Sequence, residues 1–124
     1  MNAGSVKVLL IDRDPERRKE RISALKTNGY RVFPALDLQQ AKQRCKPGTY
    51  DVVVVNSECW EQPEMALEFC DWIRSTAPRQ AVLLMVGAIV HLPHRDYMVP
   101  DIPQRLLERI DSMFERVDTA AKAA

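Results

Sequence analysis

Tyr50-Asp-Val-Val-Val-Val-Asn56 is the stretch on which the fold turns. Four consecutive β-branched residues favour extended chain. An apolar run without alternation suits a strand covered on both faces, as in a parallel sheet. The same signature recurs upstream in Val6-Lys-Val-Leu-Leu-Ile11 and downstream in Ala81-Val-Leu-Leu-Met-Val86. Parallel neighbours need crossovers, and the intervening segments supply them. Asp14-Pro15 opens a helix, with Asp as N-cap and Pro at the first helical position. That helix runs to about Asn28 and stops at Gly29, with Ile22 and Leu25 as a thin apolar stripe. Tyr30-Arg-Val-Phe33 is a short strand, and Asp37 caps a helix to about Cys45 that Lys46-Pro-Gly48 breaks. Pro63 to Thr76 is helical, its apolar positions Met65, Phe69, Trp72 and Ile73 fitting a 3.6-residue period. Tyr97-Met-Val99 is a fifth short strand. Leu106, Leu107, Ile110, Met113, Phe114 and Val117 mark the best amphipathic helix, Pro103 to Val117. The alternation predicts an α/β fold, a doubly wound, five-stranded parallel sheet with helices on both faces. Only 12 residues separate Val86 from Val99, Gly87 and Pro93 among them, so the fourth crossover helix is expected to be short or missing.

The composition fits this class. The chain has 124 residues, 46% hydrophobic and 28% charged, the balance of an ordinary globular domain. One domain is expected over residues 1–119, with a disordered tail at 120–124. Eighteen basic residues against 17 acidic ones leave a net charge of +1, no field for wrapping nucleic acid or coating an anionic membrane. No apolar run approaches the ~20 residues of a membrane helix, and the N-terminus carries no signal-peptide pattern. Cys45, Cys59 and Cys70 lack CxxC spacing, so neither a disulfide framework nor a zinc site is indicated. A cytoplasmic domain is expected. Ligands of open α/β sheets bind beyond the C-terminal strand ends. Asp12-Arg13-Asp14, Asn56-Ser57-Glu58, Val86-Gly87 and Val99-Pro100 are therefore the positions that matter.

Four of these stretches resemble the receiver domain of two-component response regulators. Leu9-Leu-Ile-Asp-Arg-Asp-Pro15 is similar to that family's first strand and acidic cluster, and Tyr50-Asp-Val-Val-Val-Val-Asn56 to its third strand. Leu67-Glu-Phe-Cys-Asp-Trp-Ile-Arg74 resembles its third helix, and Asp96-Tyr-Met-Val-Pro100 the end of its fifth strand. The resemblance implies a flavodoxin-like, receiver-type sheet. It also implies a phosphorylation pocket of five side chains: a nucleophilic Asp, two acidic residues holding a divalent cation, a Thr or Ser, and a Lys. Anionic attack on a phosphoryl group needs that cation and those donors to neutralise the transition state.

The matched positions keep little of this pocket. Asp12 remains, Arg13 stands at the second acidic position and Asn56 at the nucleophile. Val86 falls where Thr or Ser belongs, and Val99 where Lys belongs. A neutral amide forms no acyl phosphate, and a permanently charged guanidinium repels a divalent ion. Asp12, Arg13, Asn56, Glu58, Val86 and Val99 are thus expected to form a vestigial phosphorylation pocket, with no catalytic residue, cofactor or metal. Two arrangements are open to Arg13: an ion-pair cluster with Asp12 and Glu58, its guanidinium standing where the cation would sit, or a side chain pointing to solvent. Arg17-Arg-Lys-Glu-Arg21 is expected to be a solvated helix face, His91 and His94 polar loop residues, Cys59 an incidental thiol, and Trp60 tucked onto the sheet end. Ala88-Ile-Val-His-Leu92 either packs on the sheet in place of the missing helix or pairs with another copy of the chain.

The resulting expectation is a pseudo-receiver. It is non-enzymatic and acts in signal transduction through a signalling protein partner, such as a histidine kinase or another regulator, or through a homodimer. Nucleic acid and membrane are not expected as partners. Two alternatives stand beside it. One is a phosphorylatable receiver of a phosphorelay using a non-standard pocket, with Ser57 or Glu58 as stand-in. The other is a small-ligand-binding α/β domain, for which no G-x-G-x-x-G or P-loop is present.

Overall fold

A computed structural model describes residues 6–46 and 48–114. Five strands, β1 (Lys7–Ile11), β2 (Arg31–Ala35), β3 (Val52–Asn56), β4 (Ala81–Val86) and β5 (Met98–Pro100), form one sheet in the order β2-β1-β3-β4-β5. All four pairings are parallel. Helices α1 (Pro15–Thr27), α2 (Leu38–Arg44), α3 (Pro63–Thr76) and α4 (Pro103–Met113) cover both faces. Period-2 alternation divides the strand side chains between two cores. Leu9, Ile11, Val53, Val55, Val82 and Leu84 pack with Ala41 of α2 and with Leu67, Phe69, Cys70 and Ile73 of α3. Val8, Leu10, Val52, Val54, Leu83, Met85 and Val99 face Leu25 of α1 and Leu106, Leu107 and Ile110 of α4.

The local signals act where the chain places them. Asp14 caps α1 by accepting from the Glu16 and Arg17 amides, and Gly29 follows the helix with φ +90. Asp37 accepts from the Gln40 amide to cap α2. The strand β2 lies two residues beyond its expected end, because its register with β1 carries pairing to Ala35. Helix α4 is described to Met113; Val117 and the expected 119/120 boundary lie outside the described residues.

No helix forms between β4 and β5: Gly87–Asp96 holds only isolated turns. Asp71 of α3 fastens the segment instead. Its carboxylate takes Arg95 Nε at 3.2 Å and Nη2 at 3.1 Å, and accepts from the Tyr97 hydroxyl at 2.6 Å. Ala88–Leu92 divides between surface and sheet, with Ile89 82% exposed and Leu92 packed against the α2–α3 core. One expectation for α3 fails. Met65 and Trp72 are 41% and 40% exposed, while Ala66, Leu67 and Cys70 turn inward beside Phe69 and Ile73. Trp72 lies at the helix border, stacked on Phe69 and covered by the Lys42 ammonium 5.6 Å from its ring. Among the described residues, no helix is long and apolar enough to cross a membrane.

Candidate functional site

The C-terminal ends of β1, β3, β4 and β5 meet the N-terminal turns of α1. Asp12, one residue past β1, falls two residues beyond Leu10 and so points to the α1–α4 face. Asn56 follows Val54 onto the same face, and Asp101 follows Val99. Asp12 and Asn56 are fully buried, and the Asp101 side chain is 6% exposed. Carboxylates this deep need charge partners. These come from α1, where Arg17, Arg21 and Leu25 recur at i, i+4, i+8 and share one side of the helix. Leu25 enters the core, whereas Arg21 and Arg17, nearer the helix start, reach the polar rim.

Arg21 is the keystone of the cluster. Its side chain is 7% exposed, its Nη1 donates to Asp12 Oδ2 at 3.0 Å, and its Nη2 pairs with Asp101 Oδ1. Its Nε has no hydrogen-bond partner among the described residues. Arg17 forms the outer layer, with Nη1 2.9 Å from Glu58 Oε2 and 3.5 Å from Asp101 Oδ2. The remaining Asp12 contacts are also filled. Oδ1 accepts from the Asp14 amide at 3.0 Å, and Oδ2 accepts from Asn56 Nδ2 at 3.1 Å. The other end of the Asn56 amide, Oδ1, accepts from the Glu58 backbone at 3.0 Å and caps the 3₁₀ turn Ser57–Cys59. Both ends of Asn56 are therefore used in a way no carboxylate could reproduce, since a carboxylate has no proton to give Asp12.

The structure unites Asp12, Asn56 and, through Arg17, Glu58, but not the other three predicted positions. Arg13 is not the buried cation. It is exposed and lies over the Trp60 ring, 5.8 Å from its centroid. It directly follows Asp12, and consecutive residues do not share a direction, so it leaves the site that Asp12 enters. Val86 is half-buried on the opposite, α2–α3 face. The pocket-side residue at the β4 end is Gly87, against which the Glu58 carboxyl packs so closely that a Cβ there would overlap it. Val99 lies on the correct face but below the rim, in the core with Leu106 and Ile110. Asp101 is the β5-end residue that reaches the site. The Arg17–Arg21 run, expected to be solvated, supplies both cations of the cluster, the buried Arg21 and the half-exposed Arg17. The signal in the sequence was the row Arg17, Arg21, Leu25, which becomes legible once Leu25 is taken as a core residue.

Ser57 and Trp60 lie just beyond the end of β3. Ser57 is fully buried, and its hydroxyl donates to the Met85 carbonyl at 2.7 Å. Trp60 is 7% exposed and packs into the α2–α3 core. His91 and His94 are exposed, and the Cys59 side chain lies outside the described residues. The residues present do not fit the divalent cation that the receiver pattern implies. Asp12 has both oxygens engaged, and Arg21 occupies the space between the two carboxylates.

No family model matches this chain, and no curated protein does. Solved structures are similar to it. The chemotaxis response regulator CheY4 of Vibrio cholerae is 19% identical and matches 86% of this chain and 97% of its own, with a TM-score of 0.67. The Francisella response regulator 1452 receiver domain is 18% identical over 91% and 99% of the two chains, with a TM-score of 0.73. A chain from the complex of histidine kinase ThkA with response regulator protein TrrA is 20% identical over 86% and 97%, with a TM-score of 0.69. At such identities it is the fold that is shared: this chain has the receiver fold.

Proposed function

We propose that this chain is a receiver-fold signalling module of the cytoplasm that takes up no phosphoryl group, catalyses no reaction and acts by contact with a protein partner. The observation that carries the reading is Arg21, seated between Asp12 and Asp101 with Asn56 at the end of β3. Phosphoryl transfer to a carboxylate requires a nucleophile, a divalent cation and a donor that meets the developing charge. Asn56 supplies no nucleophile, and a guanidinium fills the space a metal would need. The stand-in nucleophiles are also committed, Ser57 to the Met85 carbonyl and Glu58 to Arg17. A receiver-type surface without its phosphoryl switch retains contact as its means of action, and one structural neighbour comes from a kinase–regulator complex.

The test is incubation with acetyl phosphate, or with beryllium fluoride, in the presence of Mg²⁺. The mass and the amide spectrum should remain unchanged. A stoichiometric mass gain, or shifts clustered at Asp12, Asn56 and Glu58, would overturn this reading.

A further inference from the structure

The basic residues of the chain are not spread evenly. Residues 29–50 carry four basic side chains against one acidic, whereas the remainder carries 14 against 16. The four are Arg31 on β2, Lys42 and Arg44 on α2, and Lys46 just past that helix, and all are exposed. None of them enters an ion pair among the described residues. Three are held by neutral groups instead. The Arg31 guanidinium lies 5.6 Å from the Phe33 ring, and the Lys42 ammonium 5.6 Å from the Trp72 ring. Arg44 donates through Nη1 to the Pro34 carbonyl on the edge strand β2. Such partners fix a cation in place without cancelling its charge. The one acidic residue, Asp37, is committed to the opposite end of α2, where it accepts from the Gln40 amide at 2.8 Å. Cations in the last turn complement the carbonyl end of a helix, which accounts in part for Lys42 and Arg44. Arg31 and Lys46 lie outside the helix and have no such role.

Positive charge that is held in place and left uncancelled calls for an anion. The patch is short, since the seven residues of α2 span about 10 Å at 1.5 Å per residue. Carboxylates bound it on both sides. Glu68 is exposed on α3 one turn before Trp72, and Asp51 follows Tyr50, whose ring meets Phe33. A nucleic acid, with its phosphates in an unbroken row, would run onto those carboxylates. A short acidic stretch of polypeptide ends before them. We infer that the exposed face of α2 and the adjoining edge of β2 receive an acidic segment of a protein partner, its Asp or Glu carboxylates pairing with Arg31, Lys42, Arg44 and Lys46. This rests on the reading that the module acts by protein contact, and it adds where the partner sits and what chemistry it brings. Helix α2 covers the face of the sheet opposite Arg21, so the patch can be altered without touching the buried cluster.

The experiment titrates a blocked penta-glutamate peptide into the ¹⁵N-labelled full chain. It follows the Trp72 indole resonance, assigned with Trp72→Phe, and the amides of Lys42 and Lys46. A saturable shift is expected, and it should weaken as salt is raised. Lys42→Gln combined with Lys46→Gln should weaken binding about tenfold, the loss of two exposed pairs at about threefold each. Lys19→Gln combined with Lys26→Gln removes the same charge from α1 and should change binding by less than about twofold. All four lysines are exposed, so the variants keep the fold. No saturable shift, or equal weakening by the two double variants, overturns the inference. Oligothymidylate that moves the same resonances at lower concentration than the peptide also overturns it, because the occupant would then be a nucleic acid. Movement of those resonances on dilution of the free chain overturns it in favour of a second copy. Acetyl phosphate and Mg²⁺ are added to the same sample last. A mass gain there overturns the phosphoryl-inert reading, whereas a silent Trp72 without a mass gain overturns the acidic-segment site alone.

Discussion

A guanidinium is tolerated inside a protein when carboxylates meet it, and Arg21 meets Asp12 and Asp101. Removing one partner of such a buried set leaves uncompensated charge, which costs about 3–5 kcal/mol. Arg21→Ala should therefore lower the unfolding free energy by about that amount in urea titrations, whereas Arg13→Ala, at an exposed position, should change it by less than about 0.5 kcal/mol. Equal effects would mean that the wrong arginine has been assigned to the site. Asn56→Asp brings a second carboxylate to within hydrogen-bond range of Asp12 in place of an amide donor. Loss of that bond and like-charge contact should destabilise the fold by about 1–3 kcal/mol at neutral pH. Gly87→Ala acts through space: its Cβ overlaps the Glu58 carboxyl, which must withdraw from Arg17. That bridge is partly exposed, so a cost of about 1 kcal/mol is expected, together with displaced Glu58 and Arg17 amide resonances.

At the scale of elements, the 87–96 segment shows how a crossover keeps its place without a helix. Asp71 of α3 grips Arg95 and Tyr97. The Arg95 hydrogen bond holds the Asp71 carboxyl below its ordinary value, a direction that partial burial opposes. A depressed carboxylate contributes stability above its unfolded value, about 3.9, and loses it as pH falls through the lower folded value. The stability gap between the native chain and Asp71→Asn should therefore be constant from about pH 7 to 5 and close below about pH 4. The Asp71 side chain is 43% exposed, so solvent screening keeps the gap within about 1 kcal/mol. A gap that widens in acid would disprove this account of the clip. Burial pushes the Tyr97 phenol up, aided by its bond to Asp71; that contribution is full below about pH 10 and lost as the solution becomes more alkaline. These elements were largely legible in the sequence. Uninterrupted β-branched runs and the Asp-Pro and Gly punctuation act locally, and the short 87–98 gap leaves no room for a full crossover helix. The inward side of α3 was not legible, because Met65 and Trp72 share a helical period with Phe69 and Ile73. Which flank of that stripe meets the sheet depends on how the helix docks.

For the whole molecule, the location of the site was legible in the sequence, but the cation that sits in it was not. Asp12 and Asn56 sit at strand ends that the topology brings together, and it is on their residue types that the proposed loss of phosphoryl chemistry rests. That Arg21 rather than Arg13 supplies the cation depends on the docking of α1 against a sheet 80 residues later in the chain, where Asp101 emerges from β5. The two arginines lead to different outcomes for repair. Asn56→Asp with Arg13→Asp should remain unlabelled by a radioactive phosphodonor, because Arg21 still fills the space between the carboxylates. Labelling of that double variant would show that Arg21 yields to a metal. The covalent attachment of this cation has a further consequence. A dissociable ion stabilises a fold by an amount that varies with its free concentration, whereas a tethered side chain has an effective concentration that no chelator can lower. Melting temperature should accordingly be the same in excess EDTA and in millimolar Mg²⁺, leaving the domain indifferent to the ionic supply that sets the readiness of a metal-dependent switch.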